Sequence, residues 1–201
     1  MKKILAVMTI ASALLLTGCS QNNEAATIGD FKISQTELQS SIDAVMAERT
    51  KVDSSQMQLE TGEALNRGQL RFKILMHTFD EIAKELMIEV TSSQIEAKRA
   101  TLINSLGGEA ELPKNLVNAA IALQDFDTYV RAIVISEQVS AALSQAGVAD
   151  EEVSAKVGDL LNAKAKTLGV KINPRYGVWD NEVGDVVAAN VTGDAVKPSD
   201  K

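Results

Sequence analysis

Residues 26–38 read Ala-Thr-Ile-Gly-Asp-Phe-Lys-Ile-Ser-Gln-Thr-Glu-Leu, and this stretch decides the fold. Apolar residues lie on both sides of Gly29-Asp30, a turn-forming pair, so 26–33 is predicted to be strand, turn, strand. Ser34-Gln-Thr-Glu37 follows as a capping box. The Ser hydroxyl takes up a free amide of the first helical turn, and the Glu three residues on reaches back to the cap. A helix therefore begins at once, with Leu38, Ile42, Val45 and Met46 on one stripe and an end near Thr50. A two-stranded hairpin alone is only marginally stable in water. The other stretch of β character is 170–180, Val-Lys-Ile-Asn-Pro-Arg-Tyr-Gly-Val-Trp-Asp, with β-branched residues around an Asn-Pro turn. Segments 26–33 and 170–179 are predicted to pair, closing the chain and setting the first and last helices side by side.

Everything between reads as helix. Gly62 to Met87 carries Leu65, Phe72, Leu75, Phe79, Ile82 and Leu86 at helical steps. After an extended link at 88–90, Thr91-Ser-Ser-Gln94 is a second capping box. Its helix turns Ile95, Leu102 and Leu106 inward and stops at Gly107-Gly108. Pro113 suits the first turn of the next helix. That pattern runs through Leu116, Ala120, Leu123, Val130, Ile133, Val139 and Leu143 to Gly147, with a break near Asp125. A last helix, Asp150 to Leu168, places Val153, Val157, Leu160, Lys164 and Leu168 on one face and is closed by Gly169. The expectation is a mainly α domain over 26–180, of about five helices, with a small β element joining its ends. Residues 181–201 are small, polar and acidic without period, and are predicted to be a disordered tail.

The first residues carry a different signal. Lys2 and Lys3 precede an apolar run of thirteen residues, Ile4 to Leu16. That is too short to span a bilayer, which takes roughly 20 residues, and its flanks are those of an export signal. Leu16-Thr17-Gly18-Cys19 follows and resembles the bacterial lipobox. The resemblance implies a signal peptide over 1–18, a diacylglycerol thioether on Cys19, acylation of the new amino terminus and a lipidated tether over 19–25. Two or more acyl chains suffice for stable anchoring. The protein is thus expected at the extracytoplasmic face of a cell membrane, and on the outer membrane if its source has two.

Composition removes several classes of function. The chain has 20 basic and 27 acidic residues, net −7, with no basic stripe to displace counterions from nucleic acid. A single Cys and a single His exclude internal disulfides, thiolate zinc clusters and multi-His metal sites. No cofactor-binding loop is present, since a phosphate cradle needs Gly-rich backbone with Lys at fixed spacing. His77 lies within a helical stripe and reads as a half-buried helix side chain; no catalytic residue and no metal ligand is expected.

Two ends of the mature chain carry a family resemblance. Residues 26–38, with Ile-Ser-Gln-Thr-Glu-Leu at their close, resemble the strand-then-helix start of the SurA and PrsA extracytoplasmic chaperones. Residues 172–180, Ile-Asn-Pro-Arg-Tyr-Gly-Val-Trp-Asp, resemble the strand that returns in that family to pair with the first. Thr91-Ser-Ser-Gln-Ile95 resembles its later helix entry. Full members insert a parvulin-type prolyl isomerase domain before the return strand. Here one Gly separates Leu168 from Val170, so that domain has no room and no isomerase activity is expected.

The resemblance implies an ATP-independent chaperone-like lipoprotein that binds unfolded exported chains. The alternative is a dedicated adaptor or regulator for one folded envelope partner. Phe72, Met76, Phe79 and Met87 are candidates for an apolar cradle, with the plainer reading that such a stripe is core. Arg175, Tyr176 and Trp179 are candidates for a partner contact, being residue types enriched at binding hot spots. The plainer reading is that they pack the closing strands onto the helices, with Arg175 paired to a carboxylate.

Overall fold

Strand β1 (Glu24–Ile28) is the middle of a three-stranded antiparallel sheet. On one side it pairs with β2 (Phe31–Ser34) across the turn at Gly29. On the other it pairs with β3 (Val170–Ile172), Ala26 opposite Ile172 and Ile28 opposite Val170. The two ends of the chain therefore meet, as expected. The computed structural model describes residues 23–189, so the leader, Cys19 and residues 190–201 lie outside the description.

Six helices connect β2 to β3: α1 (Gln35–Arg49), α2 (Gly62–Glu85), α3 (Ser92–Ser105), α4 (Leu112–Asn118), α5 (Phe126–Gln145) and α6 (Asp150–Leu168). The architecture is mainly α with a small sheet at the chain ends. Local signals set the boundaries. The Ser34 hydroxyl accepts the Glu37 amide at 3.0 Å and starts α1. At Thr91 both halves of the capping box are made. Gly107 and Gly108, at φ of +98° and +95°, end α3, and Gly169, at +75°, ends α6. The pattern predicted from Pro113 to Gly147 is two helices. They are split at Ala119–Asp125, where Ala120 takes a φ of +52° and a 3₁₀ turn (Leu123–Asp125) leads into α5.

The core has three regions strung along α2 and α5. Beneath the sheet, Ile28, Ile33, Leu38, Val45, Leu70 and Ile74 pack together. Ile82, Ile135, Val139, Val153 and Val157 join the far half of α2 to α5 and α6. Ile103, Leu112, Leu116, Phe126 and Val130 join α3 and α4 to α5.

Three expectations are corrected here. The stripe predicted for α2 is rotated. Its buried positions are Leu65, Gln69, Leu70, Ile74, Thr78, Ile82 and Ala83, whereas Phe72, Leu75 and Phe79 are half-buried and Leu86 is exposed. Hydrophobicity misleads because two buried positions are polar and satisfied. Gln69 accepts from the Ser41 hydroxyl and donates to the Ala120 carbonyl, both at 2.7 Å, and Thr78 bonds the Ile74 carbonyl at 2.8 Å. A buried polar group with its hydrogen bonds made carries little penalty. Second, the first and last helices are not neighbours: α6 packs on α2 and α5, while α1 packs on α2 and α4. The third correction lies past Asp180. Residues 178–180 do not join β1 but form β4 (Val178–Asp180), which pairs with β5 (Asp185–Val187), Trp179 opposite Val186. Asp180 accepts the amides of Glu182 and Val183 and shapes the turn. Val186 is buried in the first core region, so the ordered chain runs at least to β5 and the predicted tail at 181 begins too early.

Candidate functional site

The two candidate residues that the structure places side by side on open surface are Phe72 and Met76. They stand one helical turn apart on α2, and both line each of two hollows, so together they form the ridge between them. The first hollow, about 430 Å³, lies between α2, the α4–α5 link and β5. Leu75, Ile121 and Tyr129 line it too, with Arg67 and Arg71 toward its rim. Arg71 is 3.5 Å from Asp185 on β5 and Arg67 is 3.5 Å from Glu63. Its size falls in the lower part of the range for ligand pockets, roughly 300–1,000 Å³.

The second hollow, about 230 Å³, lies between α2, β2 and the start of α5. Phe31 and His77 form one wall, their rings stacked 4.1 Å apart. Lys73 pairs with Glu37 at 3.3 Å, and Arg131 Nε donates to Asp80 at 2.9 Å. Burial holds the His77 imidazole below its ordinary pKa and is the largest influence on it. The charge of Lys84 acts in the same direction, and Glu81 and Asp80 act against it. Burial pushes the Asp125 carboxyl up, opposed by Lys73. Apolar walls between paired charges make a surface that takes an apolar side chain while the rim hydrogen-bonds polar groups.

The remaining candidates separate from this ridge. Phe79 packs into the second core region. Met87, just past the end of α2, projects into solvent, 87% exposed at a φ of +55°. Trp179 packs against the first core region with its indole N–H buried, and Tyr176 packs there too, half-buried. Arg175 is exposed and donates to the Gln35 side-chain oxygen at 3.0 Å; this partner is an amide where a carboxylate was expected. Arg175 and Tyr176 line a third hollow, with Asn23 and the first two turns of α1. Cys19 lies outside the described residues.

Sequence reasoning missed Phe31, Leu75 and Tyr129 as wall residues. Phe31 sits at a turn, and Tyr129 was passed over because the helical period singled out its neighbour Val130. Only the tertiary packing brings either next to Phe72 and Met76. Among the described residues no group of three His, Cys, Asp or Glu is placed to hold a metal ion. No helix among them is long and apolar enough to cross a membrane. No protein-family model, no curated protein and no solved structure matches this chain.

Proposed function

We propose that the protein is a lipid-anchored, ATP-independent chaperone-like binder of unfolded exported chains. The observation that carries this reading is the Phe72–Met76 ridge, with an apolar-walled hollow on either side and paired charges at the rims. An extended client would seat successive apolar side chains in the two hollows. Methionine suits such a role because its flexible thioether adapts to many shapes. The lipobox at Leu16–Cys19 supports anchoring at the extracytoplasmic face. The resemblance of residues 26–38 and 172–180 to the SurA and PrsA chaperones supports the client class.

The test uses residues 20–201 without lipid. A chemically unfolded model client is diluted into buffer and its light scattering followed. Near-stoichiometric protein is expected to suppress scattering, and Phe72→Ser with Met76→Ser to abolish suppression while the circular dichroism stays that of the parent. No suppression at several-fold excess of folded protein would sink the chaperone reading. A dedicated adaptor for one folded envelope partner would then take its place.

A further inference from the structure

We infer that the face around Asn23 is held against the bilayer surface, with Arg175 and Tyr176 at the depth of the lipid headgroups. This rests on the lipidation of Cys19 proposed above. Cys19 and Asn23 are four peptide steps apart. An extended chain advances at most about 3.3–3.6 Å per residue, so Asn23 stands within about 14 Å of the lipidated residue. The headgroup layer of one leaflet is itself about 5–7 Å deep. A tether this short leaves little clearance, and the surface that meets the membrane is the one beside Asn23.

That surface is tied together. The Asn23 carbonyl accepts the Gln35 amide at 2.7 Å, and the Asn173 amide donates to the Ala25 carbonyl at 2.9 Å. The Asn173 side chain donates to the Glu24 carbonyl at 3.1 Å. The chain's exit, the first turn of α1 and the Asn173–Tyr176 turn thus form one unit. Asn23, Gln39, Ser40, Arg175 and Tyr176 help line its hollow of about 600 Å³. Arg175 uses one of its five N–H donors on Gln35, and the rest of its exposed guanidinium can meet lipid phosphate. Tyr176 packs its ring on the core from a half-buried position, which suits a boundary between apolar and wet surroundings.

Charge points the same way. Loss of Lys2 and Lys3 with the leader leaves 18 basic against 27 acidic residues, a charge of −9 that an anionic bilayer repels. Beside Asn23 the balance differs. The exposed cations Lys32, Lys171 and Arg175 stand against Glu24 and Asp43. From there β1 leads away over five residues, about 17 Å at 3.4 Å each. Its far end, Ile28, pairs with Phe31, the wall of the second hollow. The client-binding ridge is therefore set off from the lipid by the length of the sheet.

The full lipidated chain in vesicles of phosphatidylethanolamine and phosphatidylglycerol tests this. A fluorophore is placed at Ser40→Cys or Gln39→Cys on the near face, or at Asp30→Cys in the β1–β2 turn; Cys19 is blocked by its thioether. All three positions are exposed. A headgroup nitroxide lipid is expected to quench the near-face reporters several-fold more than the Asp30 reporter. Adding Arg175→Gln should weaken near-face quenching in these vesicles but not in phosphatidylcholine. Equal quenching at all three sites, or stronger quenching at Asp30→Cys, would overturn the orientation. Mass spectrometry of the same protein separates the two failures. Lipidated protein with equal quenching removes the orientation alone; absence of lipid on Cys19 removes the anchoring, and this inference with it.

Discussion

The ring of Phe31 on β2 lies almost flat on the imidazole of His77 on α2, centroids 4.1 Å apart and planes within 12°. This contact pins the opening hairpin to the central helix and walls the second hollow. It also makes the packing sensitive to the charge of His77.

Stability is expected to fall as pH drops below the ordinary His value of 6.5. Burial lowers the folded-state pKa of His77, so the unfolded chain takes up its proton first as pH falls. The contribution is complete above 6.5, is lost as pH falls toward the folded pKa, and is constant below that. Asp125, whose pKa is raised by burial, acts in the opposite sense. The comparison is therefore parent against His77→Gln, by urea midpoint, from about pH 7.5 to pH 5 across the ordinary His value. The variant should show the shallower slope; identical slopes would mean that the folded chain does not resist the proton.

Gln69 bridges Ser41 on α1 to the Ala120 carbonyl in the α4–α5 link. Gln69→Leu leaves both partners buried without a hydrogen bond and is expected to cost about 2–4 kcal/mol. Adding Ser41→Ala should restore about 1 kcal/mol, since one orphaned group is then removed. Urea unfolding of the two variants measures both values, and additive losses would argue against the pairing.

Gly177 admits no side chain. A Cβ there would lie 2.3 Å from the Val187 carbonyl oxygen at a φ of +131°. Gly177→Ala is expected to cost about 2 kcal/mol or more and to release the β4–β5 hairpin. Faster proteolytic cleavage within 181–184, with the helical signal retained, would record that release. Unchanged cleavage would mean that the hairpin docks without this close approach.

Thr91 caps α3 through a reciprocal pair of bonds with Gln94. Thr91→Ala is expected to cost about 1 kcal/mol, and Thr91→Ser to cost far less because the hydroxyl remains. Thermal unfolding of the two variants side by side checks this; equal losses would assign the effect to the methyl group instead.

What the sequence determined by itself was whatever depends on near neighbours along the chain. Ser34 and Thr91 announce helix starts, Gly107 and Gly169 helix ends, and Gly29 the opening turn, because caps and turns satisfy backbone groups within a few residues. The pairing of 26–28 with 170–172 was also legible, since each short strand needs a partner and few candidates exist. Tertiary structure alone decided which face of α2 is buried. That helix is packed by α1, α5, α6 and the sheet, so no single apolar stripe marks its inner side, and Gln69 and Thr78 lie buried among aliphatic residues. It also decided that β4 turns to β5 instead of β1, because burial of Val186 against the core is a long-range gain with no local period. The ridge of Phe72 and Met76 belongs to both levels. Its residues were visible in the sequence, but the hollows beside it exist only where Phe31, Tyr129 and β5, distant along the chain, come to rest against α2.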